Sequence, residues 1–209
     1  MKNNQIGRSM IEMLGVLAII AVLSVGGIAG YGKAIEQFKV NRLIEEYGYV
    51  VQQLIEKGDG LRENVKDSAE VFYDAETISA MGFVPNTWKK RGRNFSNSLG
   101  HSVIFSSKLN LLSMNTELTI IGQTKGDIPN RVCKELMSKV YKPMHQTIKW
   151  ITYFGGTAGK IKNFQVDGDY LCSRGRKCLK NLNVSDIEEI CETCAPKKDI
   201  YRCNMIVFF

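Results

Sequence analysis

Gly7-Arg8-Ser9-Met10-Ile11-Glu12, leading without a break into the apolar run Met13 to Tyr31, is the stretch that decides the fold. From Met10 to Gly32, about 23 residues, the only charge is Glu12. At roughly 1.5 Å of rise per residue such a run, if helical, crosses a hydrocarbon core about 30 Å thick. The chain therefore has a membrane stage. A carboxylate near the end of a spanning segment costs roughly 2.5 to 3.5 kcal/mol on insertion scales, so an acid there marks a functional position.

Outward from this run the pattern changes. After Lys33 apolar residues recur at Ile35, Phe38, Leu43, Ile44, Tyr47, Val50, Val51, Leu54 and Ile55, mostly three or four apart. Glu36, Lys39, Arg42, Glu45, Glu46 and Glu56 fill the remaining face, which makes this an amphipathic helix. No Pro separates it from the apolar run, so one helix from about residue 9 to 57 is predicted, ending at Gly58-Asp59-Gly60. Gly15, Gly26, Gly27 and Gly30 each lower its propensity by about 1 kcal/mol. They predict either a local bend near Gly26-Gly27 or close approach of a second helix.

Toward the amino terminus, Met1 to Gly7 is short, polar and weakly basic, a removable leader or a cytoplasmic stub. Lys2 and Arg8 keep that end on the cytoplasmic side. A Gly that closes a short basic leader, then an apolar run with Glu at the fifth position after that Gly, resembles the class III signal of type IV pilins and type II secretion pseudopilins. The resemblance implies cleavage after Gly7 by a prepilin peptidase, methylation of the new amino terminus on Arg8, and pairing of Glu12 with the terminal ammonium of a neighbouring subunit. Opposite charges in such surroundings neutralise one another far better than either can be solvated there. Arg8 departs from the family, which usually has an apolar residue at that position.

The remaining chain predicts one globular head. A short helix is expected over Asp67–Met81, stopping at Gly82, followed by a turn-forming stretch Phe83 to Trp88. Lys89, Lys90, Arg91 and Arg93 then form a basic loop around Gly92, a candidate anion-binding patch, ahead of a turn-rich Asn94 to Gly100. Ser102–Ser106 and Glu117–Ile121 read as neighbouring antiparallel strands. Asp127 to Met137 reads as a helix carrying Cys133, with Pro129 in its first turn. Trp150–Phe154 and Phe164–Val166 add strands with Gly155-Gly156 between them, and Ser185 to Cys191 is a short helix capped through Ser185 and Glu188. Asn204–Phe209 is an apolar strand that needs burial at the centre of the sheet. This order is similar in pattern to that of type IVb pilins.

Six cysteines in a chain with a membrane-entry segment suit an oxidising compartment and place the head outside the cytoplasm. They allow 15 complete pairings, among which sequence alone does not choose. The resemblance to type IVb pilins implies a long-range bridge, here Cys133–Cys191; the set preferred with it is Cys172–Cys178 and Cys194–Cys203, which close short local loops. The competitors are a zinc site from Cys172, Cys178, Cys191 and Cys194, and a redox role for the Cys191-Glu192-Thr193-Cys194 CxxC. The spacing of the first pair is wrong for a zinc knuckle, and the thioredoxin-like context is missing.

A net charge of +7 favours contact with DNA, lipid headgroups or anionic polysaccharide without specifying any of them. His101 and His145 lie in no nucleophile or metal motif, although His145 and Cys133 invite comparison with a Cys–His pair. No catalytic activity and no cofactor is expected.

The fold class is thus α+β: a leader over 1–7, a membrane or filament-core half-helix over 8–32, an amphipathic half-helix over 33–57, and a disulfide-stapled antiparallel head over 58–209. The functional expectation is a pilin subunit, major or minor. It has identical or related subunits, prepilin peptidase and an inner-membrane assembly platform as partners. It passes from a single-pass bacterial inner-membrane form, head in the periplasm, to an extracellular filament. Two alternatives stand beside it. One is a non-polymerising bitopic protein whose basic head captures DNA or anionic polysaccharide; the other is a secreted protein cleaved after Ala29 or Gly30.

Overall fold

The computed structural model describes residues 6–62, 70–108, 111–118, 128–157, 160–172, 175–194 and 200–209. The chain forms two compact units, Met1–Asn41 and Arg42–Phe209. The first helix, α1 (Ile6–Lys57), is one unbroken element of 52 residues, and Gly26-Gly27 does not interrupt it. Most of the leader, residues 1–5, lies outside the described residues.

In the first unit the helix is long and apolar enough to cross a membrane, and none of its most apolar window is buried in the protein. Leu14, Val22 and Ile28 are 65%, 74% and 73% exposed. Phe38, which the periodicity assigns to the buried stripe, is 63% exposed instead. A stripe becomes a buried face only where another layer lies against it.

In the second unit that layer is present. Leu43, Tyr47, Val50, Val51 and Leu54 are completely buried, a spacing of three and four that puts them on one side of the helix. Each such side chain contributes on the order of 1.5 to 3 kcal/mol by leaving water. The helix ends where the spacing predicts, just before Gly58, a position that admits no side chain. A Cβ there would stand 2.2 Å from the Leu54 carbonyl oxygen and 2.9 Å from Leu112 Cδ2. A single further turn, α2 (Asp59–Arg62), follows.

Nine strands make one sheet: β1 (Val71–Phe72), β2 (Lys89–Arg91), β3 (Asn94–Ser96), β4 (Ser102–Lys108), β5 (Leu111–Glu117), β6 (Trp150–Thr157), β7 (Lys160–Asp167), β8 (Lys177–Cys178) and β9 (Ile200–Phe208). Their order is β2-β3-β4-β5-β9-β6-β7-β8, with β1 added alongside β4. All pairings are antiparallel except β7 with β8. The last strand sits between β5 and β6, so the central position predicted for the apolar C-terminus is the one it occupies. Cys203, Met205 and Val207 alternate into the core, and the terminal Phe209 is buried as well. Helices α3 (Ala75–Ala80), α4 (Ile128–Leu136) and α5 (Val184–Cys191) complete the head, α4 continuing into a wider turn over Met137–Tyr141.

Several local expectations are corrected. The helix expected over Asp67–Met81 is confined to Ala75–Ala80, because the Asp74 carboxylate accepts the Thr77 amide at 2.7 Å and caps it there, while Val71-Phe72 pairs with β4. Residues 67–69 lie outside the described residues. Of the strand expected over Glu117–Ile121, Glu117 is the last residue of β5 (Leu111–Glu117), which pairs with β4 along its whole length, and Leu118 lies past its end; residues 119–121 lie outside the described residues. Gly155 and Gly156 belong to β6 itself, held in the ladder by β7 on one side and β9 on the other, with a register shift after Gly156. The cap of α5 is Asn183 with Asp186, the Asn183 side chain accepting the Asp186 amide at 2.9 Å and Asp186 accepting the Asn183 amide at 3.0 Å. The upstream box adds Val184 to the helix that the Ser185 cap would have excluded.

Candidate functional site

Three groups of residues carry the functional expectations. The first is the start of α1. Gly7 and Arg8 lie in its first turn, where backbone amides have no partner within the helix. Glu12 is exposed, between Ile11 (74% exposed) and Met13 (64%), and has no ion-pair partner among the described residues. Gly15, Gly26, Gly27, Gly30 and Gly32 have open space where a Cβ would stand. Nothing among the described residues requires their smallness, in contrast to Gly58.

The second group is the basic stretch, which is a β-hairpin and not a loop. Lys89, Lys90 and Arg91 form β2, all exposed, paired with Ser96, Phe95 and Asn94 of β3. Arg93 and Gly92 make the turn, and Gly92 takes φ +63°, a conformation that suits glycine. Lys90 Nζ stands 2.6 Å from Glu76 Oε2 on α3, an exposed pair worth little by itself. β2 is an edge of the sheet, where charged side chains also discourage pairing with another strand.

The third group is the cysteines. All six are in disulfides: Cys133–Cys191, Cys172–Cys178 and Cys194–Cys203, with Cα separations of 5.7, 5.2 and 5.4 Å. These are the preferred pairings. They leave no thiolate for zinc or for CxxC redox chemistry, because Cys191 and Cys194 are joined to different partners. Cys133 is likewise unavailable to His145, whose Nδ1 instead lies 2.9 Å from Asp169 Oδ2.

Comparison with protein-family models, with curated proteins and with solved structures finds no match to this chain. Function must be argued from the residues themselves.

Two buried polar connections were missed in the sequence. Glu46, assigned to the solvent face, is only 7% exposed. It accepts hydrogen bonds from Thr87 Oγ1 at 2.8 Å and Trp88 Nε1 at 2.9 Å, and Arg42 Nε lies 3.4 Å away. The one hint in the sequence is its spacing, three after Leu43 and four before Val50. Beside it, Tyr47 donates to Thr116 Oγ1 at 3.1 Å and accepts from Asn97 Nδ2 at 3.2 Å, and burial raises its phenol pKa. These bonds fix residues 46 and 47 of α1 to the turn before the hairpin, the turn after it and β5. Fully satisfied buried groups of this kind specify one arrangement, since each would be costly if left unpaired.

His101 follows from the same turn. Its amide donates to Asn97 Oδ1 at 2.9 Å, its ring is buried, and burial pushes its pKa down to about 4. An unfolded histidine holds its proton up to about pH 6.5. Between these values the unfolded chain binds more protons than the folded one, so stability present above pH 6.5 is lost as pH falls toward 4. The expected cost is about 3 kcal/mol, and His101→Gln should flatten that dependence. Guanidinium titrations of the full chain in detergent, followed by tryptophan fluorescence at neutral pH and at the acid end, measure it. Equal acid sensitivity in the variant would contradict the assignment.

Proposed function

We propose that this chain is a subunit of a type IV pilus-like filament, held in a membrane by the first half of α1 and polymerised through that same half after removal of the leader. The observation that carries the reading is the division of one continuous helix. Its residues 10–32 are exposed, apolar and interrupted by a single acid five residues after Gly7, whereas residues 43–54 are built into a disulfide-stapled head. A free-standing apolar helix needs a nonpolar environment, first lipid and then the matching helices of other subunits. The unfilled space at Gly15, Gly26, Gly27 and Gly30 supports the second environment, since small residues let helix backbones approach closely. Three disulfides and no free cysteine support a head that works in an oxidising compartment.

Cleavage at Gly7–Arg8 is the first chemical step this reading requires, and mass spectrometry tests it directly. Co-expression with a prepilin peptidase is expected to give a chain that begins at Arg8 and carries one added methyl group. A product that still begins at Met1, or one that begins after Ala29 or Gly30, would overturn the reading.

A further inference from the structure

We propose that the β2–β3 hairpin is a binding edge for the phosphodiester backbone of a duplex nucleic acid, contacted independently of base sequence. Positive charge is left over on this hairpin. Among the described residues of the head, several cations are engaged by acids. Arg176 lies 2.8 Å from the buried Asp167, Lys177 lies 2.6 and 2.7 Å from Asp186 and Glu189, and Lys139 lies 2.7 Å from Glu135. On the hairpin only Lys90 is so engaged, by Glu76. Lys89, Arg91 and Arg93 are exposed and have no acidic partner among the described residues. Of the other acids nearby, Asp74 is turned to the cap of α3, accepting the amide and hydroxyl of Thr77 at 2.7 and 3.1 Å, and Glu46 is buried against Thr87 and Trp88.

Geometry narrows the class of ligand. Lys89 and Arg91 are two apart on a strand and therefore stand on one side of it, about 7 Å from each other. Arg93 follows at the turn. Cations strung along an edge in this way do not converge on a point, so they suit a linear polyanion better than a small anion. Arginine forks match phosphate oxygens two at a time. The hairpin offers no exposed aromatic ring, since Trp88 and Phe95 are 5% and 1% exposed. Stacking on unpaired bases, the usual basis of single-strand binding, is thereby removed, as is stacking on sugar rings. A duplex requires no stacking and presents one charge per about 1.7 Å of its axis, whose neutralisation releases condensed counterions.

The test is fluorescence anisotropy of a labelled duplex of arbitrary sequence, titrated with the full chain in nonionic detergent at several salt concentrations. Three phosphate contacts predict that a Lys89→Gln/Arg91→Gln/Arg93→Gln variant has a salt slope shallower by about 2.7 than the native chain. Its Trp fluorescence should be native. Over a fourfold rise in salt, those three contacts account for about a 40-fold loss of affinity. Glu76→Gln releases Lys90 and is expected to tighten binding and steepen the slope by about 0.9, a gain that misfolding does not produce. A triple variant that binds like the native chain overturns the proposal and leaves the cations as guards of an edge strand. So does an unchanged slope in Glu76→Gln. Tighter native binding to heparin than to the duplex also overturns it, in favour of a polysaccharide.

Discussion

Glu12→Ala is expected to abolish filament assembly while improving membrane insertion, two effects of opposite sign from one substitution. The carboxylate lies close to the end of an apolar segment and is exposed, with no ion-pair partner among the described residues. Removing an acid from such a segment lowers the cost of insertion by an amount on the order of 2.5 to 3.5 kcal/mol, depending on depth. If its only role were topological, the variant would behave as well as the native chain or better. In a filament the same acid would be placed beside the amino terminus of a neighbour, where water is scarce. Loss of one member then leaves the other charge uncompensated, a penalty of several kcal/mol per interface. That penalty recurs at every subunit, so assembly should fall by orders of magnitude and not by a fraction. Electron microscopy and sedimentation of sheared filaments, set against membrane fractionation of the same cells, separate the two effects. Glu12→Gln isolates charge from hydrogen bonding. Filaments of normal number and length from Glu12→Ala would sink the role assigned to this residue.

The second large effect is expected in the head. Cys133 and Cys191 are 58 residues apart and both fully buried, and their bridge joins α4 to α5. Around it Asn130 Nδ2 donates to the Cys191 carbonyl at 3.0 Å, and Lys134 pairs with Glu188 across the same two helices. Closing a loop of that length is credited with about 4 kcal/mol by the chain-entropy model, a large share of the stability of an ordinary domain. Cys172 and Cys178 are only 6 apart and half-buried, so the same model gives about 2 kcal/mol. The paired Cys→Ser variants should therefore rank with the Cys133/Cys191 pair as the more damaging. Guanidinium midpoints of the full chain in detergent provide the comparison, and the reverse order would show that the long bridge does not carry the head.

Much of this was legible along the chain, for reasons that particular residues make clear. Hydrophobic length and a lone acid read out the exposed half of α1, because a membrane-length run needs no knowledge of what packs beside it. Chain termini are often frayed, yet Asn204–Phe209 announced a central strand, since six residues without charge cannot remain in water. Where local signals competed, the reading failed. Ser185 read as the cap where Asn183 serves, and Gly155-Gly156 resembled a break. In each case the outcome was set by neighbours that sequence does not place next to one another: the Asp186 carboxylate in one, β7 and β9 flanking β6 in the other.

The candidate sites divide in the same way. Gly7, Arg8 and Glu12 are defined by their spacing alone. Lys89, Lys90, Arg91 and Arg93 were visible as charge, but which of them is left free depends on Glu76, brought to Lys90 from α3. Glu46 reads as a surface acid until Thr87 and Trp88 are seen against it.

By itself, then, the sequence determined the division of labour: an apolar helix with one acid, its amphipathic continuation to Lys57, and a cysteine-bearing α+β head. Those properties are local, set by period, length and composition. Only the tertiary structure decided the strand order that seats β9 between β5 and β6, the pairing of the six cysteines out of 15 arrangements, and which polar groups are buried. Each of these rests on contacts between residues far apart in the chain, whose energies depend on packing that no single segment contains.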